Sequence, residues 1–407
     1  MDICSTLTGD LASRHDSVPK VACRAPQNTP TTTPLAGLLA RVALFRNIPP
    51  RRYGLPMSSS LPAATRGCAV VSVLVAALPF LLHLGLTPLS AQLMVPGAAP
   101  PSWPARLTDR PDPELFAKLP AAPALPYQVD ASWPQLPARY NFGECSGVDL
   151  DQQGNVWVFN RGHWPVMQFT RAGKFLQAWT VDTFRVMSAH GLRVGPDGNL
   201  WCVDVAGHSI FKVSPAGRIL LILSRQGYPG TNDSPDGFNQ PTNVAFRANG
   251  NLYISDGYNN GRVVECTPDG YYVRHWGRRG TGDGEFNLVH DVAVDAAGRV
   301  YVADRTNERV QIFDADGKFL GKWTGLGAPW GLYFATRENA IYMCDGKYNR
   351  ISKISLEGKL LGTLGAYGKA PGKLDFVHSI AVDPADGSIY TVEIKNWRVQ
   401  KWVRSQP

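Results

Sequence analysis

Three histidines stand at regular intervals in a motif that recurs six times along this 407-residue chain. The six versions are Cys145-Ser146-Gly147-Val148-Asp149-Leu150, Ala189-His190-Gly191-Leu192-Arg193-Val194, Pro241-Thr242-Asn243-Val244-Ala245-Phe246, Val289-His290-Asp291-Val292-Ala293-Val294, Pro329-Trp330-Gly331-Leu332-Tyr333-Phe334 and Val377-His378-Ser379-Ile380-Ala381-Val382. Aligned on the second residue, the slots read Ser146, His190, Thr242, His290, Trp330, His378, with histidine second, fourth and sixth. Three imidazoles converging with room for water form the ligand set of a catalytic zinc site. A lone histidine is more simply a satisfied core residue bonded to a neighbouring loop. Three at alternate equivalent slots, among only eight histidines in the chain, point to a shared ion.

The elements that must position them follow from the spacing. Motif starts at Gly147, Gly191, Asn243, Asp291, Gly331 and Ser379 lie 44, 52, 48, 40 and 48 residues apart. The fourth repeat shows the grammar: strand Asp291–Asp295, turn Ala296-Ala297-Gly298, strand Arg299–Ala303, loop Arg305–Glu308, strand Arg309–Phe313, turn Ala315-Asp316-Gly317, strand Lys318–Trp323. Period-two alternation bounded by Gly and Asp turns is the signature of hairpins. Four-stranded repeats of about 40–50 residues are propeller blades, and six repeats give an all-β, six-bladed β-propeller over residues 126–407. The sixth repeat ends after Arg398–Val403 without a fourth strand, so the segment around Tyr127–Tyr140 is predicted to close the last blade and cover its edge. Alternate slots of a six-fold ring lie about 120° apart, which aims His190, His290 and His378 at one point on the axis.

The loops after each second strand crowd the same rim. They read Asn160-Arg161-Gly162-His163, Asp204-Val205-Ala206-Gly207-His208, Asp256-Gly257-Tyr258-Asn259-Asn260, Asp304-Arg305-Thr306-Asn307, Asp345-Gly346-Lys347-Tyr348-Asn349 and Glu393-Ile394-Lys395-Asn396. The recurring acid is most simply structural, accepting loop N–H groups. Arg161 and Tyr258 stand next to it within reach of the axis. By spacing alone each is equally a solvated cation and a packed rim aromatic.

Charge and composition change near residue 110. Residues 1–110 hold 10 Lys+Arg against 4 Asp+Glu, leaving 31 against 29 for the rest, so the folded part offers no basic surface for nucleic acid. Ala69 to Leu86 is almost wholly apolar, preceded by Arg66 and followed by Leu89-Ser90-Ala91. Residues 57–91 therefore read as a signal peptide cut after about Ala91, or as a membrane anchor. Residues 1–56 read as a disordered leader or as sequence ahead of a start at Met57, and the Pro-rich residues 92–125 as a linker. The propeller is expected to be extracytoplasmic, periplasmic or secreted, and monomeric. Seven cysteines without paired spacing make no disulfide framework; Cys202 and Cys344 read as buried free thiols.

The repeat pattern over about residues 140–403 resembles the NHL-type propeller. Within it, Ser146-Gly147-Val148, Arg161-Gly162-His163, His190-Gly191-Leu192, Ser255-Asp256-Gly257-Tyr258, Phe286-Asn287-Leu288-Val289-His290 and His378 resemble peptidyl-α-hydroxyglycine α-amidating lyase. The resemblance implies zinc on His190, His290 and His378, catalytic roles for Tyr258 and Arg161, and a structural calcium on the backbone carbonyls of Val148, Leu192 and Ser379. It also implies a substrate, small or peptidyl, that ends in α-hydroxyglycine and is split into an amide and glyoxylate. The zinc would activate the α-hydroxyl, Tyr258 would take its proton, and Arg161 would orient the carboxylate and favour the phenolate. The chain departs from the family where Ala189, Val289 and Val377 replace prolines. Phe376 replaces a methionine in the substrate wall, and Ser379 replaces an aspartate, removing a supporting carboxylate. Two other functions fit the same ring: a metal-free binding scaffold for proteins or ligands, and another metal-dependent propeller enzyme such as a lactonase. The latter usually places carboxylates in its inner slots, where this chain has none.

Overall fold

The computed structural model describes residues 119–405, in which six four-stranded antiparallel sheets follow one another in chain order. The first five blades begin with the innermost strands Cys145–Leu150, Ala189–Val194, Pro241–Phe246, Val289–Val294 and Gly331–Ala335, and the sixth with Val377–Val382. The sixth sheet takes its outermost strand, Tyr127–Val129, from ahead of the first blade. Tyr127, Gln128 and Val129 pair with Arg404, Val403 and Trp402, so the ring is closed by the strand expected from the sequence. The signal or anchor region, residues 1–91, and most of the linker lie outside the described residues. No helix of the described residues is long and apolar enough to cross a membrane.

Each second strand is buried along its whole length and is mostly apolar, because a blade is covered on both faces. In the fourth blade, Val300 and Val302 pack toward the third, while Tyr301 and Ala303 pack toward the fifth. Six apolar clusters result, one at each interface between neighbouring blades, and each fully buried aliphatic side chain contributes about 1.5–3 kcal/mol. The closing segment adds Trp133, whose ring lies 5.7 Å from Phe169 of the first blade and 5.1 Å from Tyr390 of the sixth. Attachment starts earlier than the expected end of the linker at residue 125. The N–H of Thr363 donates to Pro123, and that of Leu125 donates to Thr363, both in the fifth blade's outer region.

The innermost strands carry the detail that matters for the site. In five blades their pairing with the second strand slips by one residue at the slot: between Cys145 and Gly147, Ala189 and Leu192, Pro241 and Asn243, Val289 and Asp291, and Val377 and Ser379. Each slot residue is thus the extra residue of a β-bulge, a device that re-aims a side chain. The strands accordingly begin two residues earlier than alternation alone indicates: in the fourth blade at Val289 rather than Asp291.

Candidate metal centre

His190, His290 and His378 meet at the axis. Their ring centroids lie 4.8 Å (190–290), 4.6 Å (190–378) and 5.0 Å (290–378) apart. Each is almost wholly buried, at 2%, 1% and 4% exposure. Among the described residues, they are the one group of His, Cys, Asp or Glu side chains placed to hold a metal, with ligand atoms all within 4.8 Å of one another.

The alternation of the slots has a hydrogen-bond cause. His190 Nδ1 lies 2.7 Å from the carbonyl of Thr242, His290 Nδ1 2.5 Å from that of Trp330, and His378 Nδ1 2.7 Å from that of Ser146. A carbonyl only accepts, so each Nδ1 carries the proton and donates it. The odd slots supply the acceptors and the even slots the imidazoles. That leaves Nε2 of every ring as a lone pair turned to the shared space, the tautomer and outer bond that metal-binding histidines use.

The rings are held neutral. Burial is the largest cause for all three. Protonation would also meet like charge: a protonated His378 and Arg161 for His190, Arg305 and a protonated His190 for His290, and Arg161 for His378, which is pushed down to about 3. Three neutral imidazoles bind a cation without first losing protons.

Tyr258 and two arginines complete the rim. The Tyr258 hydroxyl lies 3.3 Å from Nε2 of both His190 and His290. Arg161 is fixed by its Nε, which donates to the Ala189 carbonyl at 2.9 Å, and by Glu144 at 2.7 Å. The sequence reading missed Arg305, whose Nη1 lies 3.4 Å from the Tyr258 hydroxyl and whose guanidinium covers the Trp330 ring at 4.0 Å. The signal was present: Arg305 follows Asp304 as Arg161 follows Asn160, at the same point of a loop three blades away. Phe376 packs on Trp330 with centroids 4.4 Å apart and holds a left-handed φ of 60°, a conformation that costs a bulky residue about 1–2 kcal/mol. The other histidines stay out of the cluster. His208 Nδ1 accepts the N–H of Gln240, and His275 bonds Tyr272.

The recurring loop acids are structural, as their repetition implies. Asp204 accepts the N–H groups of Met187, Ser188 and Gly207, and Asp304 that of Asn287 while its other oxygen binds Arg309. Cys145, Cys202, Cys266 and Cys344 are free and buried. Of the carbonyls expected to hold calcium, that of Val148 accepts from the Arg193 guanidinium at 3.4 Å, and beside the third the Ser379 hydroxyl is buried without a partner. The histidine set fits zinc: three buried neutral imidazoles with ligand atoms within 4.8 Å of one another, beside the Tyr258 hydroxyl.

A model of the NHL repeat matches residues 286–313, the stretch that contains His290. The chain is 32% identical over 303 residues to NHL repeat-containing protein 3 of Homo sapiens, across 68% of this chain and 84% of that protein. It is 35% identical over 207 residues to peptidylglycine alpha-amidating monooxygenase of Rattus norvegicus, but spans only 21% of it. With peptidyl-alpha-hydroxyglycine alpha-amidating lyase 1 of Drosophila melanogaster the identity is 26%, covering 68% of this chain and 60% of the relative. The chain belongs to the NHL-repeat propeller family of NHL repeat-containing protein 3, and amidating lyases are among its relatives.

Proposed function

We propose that this protein is a zinc-dependent carbon–nitrogen lyase that splits an N-acyl-α-hydroxyglycine, small or peptidyl, into an amide and glyoxylate. The observation that carries the reading is the triad of Nδ1-anchored imidazoles with their Nε2 atoms sharing one space beside the Tyr258 hydroxyl. Bound there by His190, His290 and His378, zinc would supply Lewis-acid activation of the substrate's α-hydroxyl. Tyr258 is placed to accept the hydroxyl proton, with Arg305 beside its oxygen to favour the charged phenolate. Arg161 and Arg305 flank the site and can pair with the substrate carboxylate. As the carbonyl of glyoxylate forms, the C–N bond breaks with its electron pair leaving on nitrogen, and Tyr258 returns the proton to that nitrogen. The atoms balance with no other reactant. Trp330 and Phe376 form an apolar wall for the acyl portion.

The leader supports an extracytoplasmic location, soluble after cleavage or held by an anchor. Elemental analysis of the purified protein, with a glyoxylate-release assay on an acylated α-hydroxyglycine, tests the reading. Zinc near one per chain with glyoxylate released is expected. Zinc without glyoxylate would mean a different reaction at this metal, and neither would leave the rim as a recognition surface for a protein or ligand.

A further inference from the structure

Below the triad, the tunnel is not open. Arg193, three residues on from His190, is 7% exposed and crosses the axis. Its Nη1 donates to the Val148 carbonyl of the first blade at 3.4 Å, and its Nη2 donates to the Leu332 carbonyl of the fifth at 3.0 Å. Nη2 also pairs with Asp291 Oδ2 of the fourth blade at 3.3 Å. Asp291 is tied on: its Oδ1 accepts from Asn243 Nδ2 of the third blade at 2.7 Å, and its Oδ2 from the Leu332 N–H at 2.9 Å. The guanidinium therefore links the innermost strands of blades one to five, directly or through one carboxylate. Among the described residues, the sixth blade gives it no hydrogen-bond partner, and there Ser379 Oγ is buried with no partner.

We propose that the Arg193 guanidinium is the built-in cation of this tunnel, and that the propeller closes without a calcium ion because that charge is covalently supplied. Three features argue for it. A buried charge is tolerated only when paired and hydrogen-bonded, and Arg193 has a carboxylate and two carbonyls. Calcium needs six to eight oxygens, whereas the Val148 oxygen already serves the guanidinium and the hydroxyl at 379 carries no negative charge. A divalent ion within reach of Val148 would face the guanidinium at close range in a medium that screens charge poorly. The cavity thus holds a buried cation at 193 and a neutral hydroxyl at 379, a charge arrangement suited to a fixed guanidinium rather than to a mobile divalent ion.

The test compares the full chain with Arg193→Gln/Ser379→Asp, each incubated with calcium or with magnesium as control, desalted, and read by elemental analysis and thermal melting. The wild type is expected to retain no calcium and to melt at the same temperature in either salt. The double variant should retain about one calcium per chain and gain a calcium-specific rise in Tm. Stoichiometric calcium in the wild type, or a calcium-specific rise in its Tm, would overturn the proposal, and this arm decides even if the variant does not fold. A folded double variant that takes up no calcium would also overturn it. Zinc content and glyoxylate release, read on the same samples, bear on the lyase reading alone.

Discussion

Replacing Tyr258 by Phe removes one oxygen from the rim and leaves every imidazole in place. That oxygen lies 3.3 Å from His190 Nε2, 3.3 Å from His290 Nε2 and 3.4 Å from Arg305 Nη1, distances longer than a good hydrogen bond. Long contacts of this kind contribute about 1 kcal/mol to stability, and the phenyl ring keeps the packing against both histidines. A positioned general base, by contrast, contributes about 10²–10⁴-fold to rate, or about 3–5 kcal/mol of the barrier. Glyoxylate release by the variant should therefore lose about 10²–10⁴-fold in kcat with KM within a few-fold, while zinc stays near one per chain and Tm moves by only a few degrees. Activity within a few-fold of wild type would refute the assigned role. Zinc lost on Tyr258→Phe would make the tyrosine a prop for the metal rather than a base.

His290→Ala should weaken zinc binding by more than the ~10–100-fold that losing an outer-shell partner costs, and abolish glyoxylate release, as read by zinc titration. Arg305→Gln should lower kcat/KM by about 10–100-fold without releasing zinc; an unchanged value would exclude Arg305 from carboxylate binding or phenolate support. The triad's depressed folded pKa values mean that the unfolded chain takes up protons first. The metal-free protein should thus keep its stability above about pH 6.5 and lose it as pH falls toward the His378 value of about 3. A melting temperature of the chelated protein that stays flat from pH 8 to 5 would contradict this. Trp133→Ala should destabilise the ring by about 3–5 kcal/mol, measured by denaturant unfolding, because the indole is 5% exposed and fills the seam between the first and sixth blades.

The blade count, the closing strand and the three axial histidines were legible because each depends on a pattern that survives in one dimension: a period of 40–50 residues, a missing fourth strand, and a residue type at alternate slots. Tyr258 and Arg161 were legible only as loop positions, since spacing says which rim a loop joins but not where its side chain ends. Arg305 was missed for that reason, although it shares the offset that singled out Arg161. Arg193 was invisible in a different way. Its counterparts in the motif, Ala245, Ala293 and Ala381, pack in apolar clusters between blades, yet its partners are carbonyls and a carboxylate 45 to 139 residues away, and no local rule pairs them. The bulges were likewise hidden, since one extra residue per strand leaves the repeat length unchanged.

The histidine triad and ring closure are one structural problem in this fold. Each histidine of the triad is oriented by the carbonyl of the next blade's slot, so no blade can place its imidazole alone. For two of the three the next blade follows directly in the chain. For His378 it is the first blade, reached across the seam, with Ser146 lying 232 residues earlier. The seam is held by the pairing of Tyr127–Val129 with Arg398–Arg404 and by Trp133. A ring that opens there frees the third imidazole to rotate, and zinc that needs all three must then favour the closed ring. By linkage, the free energy with which zinc stabilises closure equals that by which closure strengthens zinc binding. Trp133→Ala, far from any ligand atom, should therefore weaken zinc binding, and added zinc should restore part of the lost stability. If the variant bound zinc as tightly as the wild type, the third histidine would be held by something other than the carbonyl across the seam.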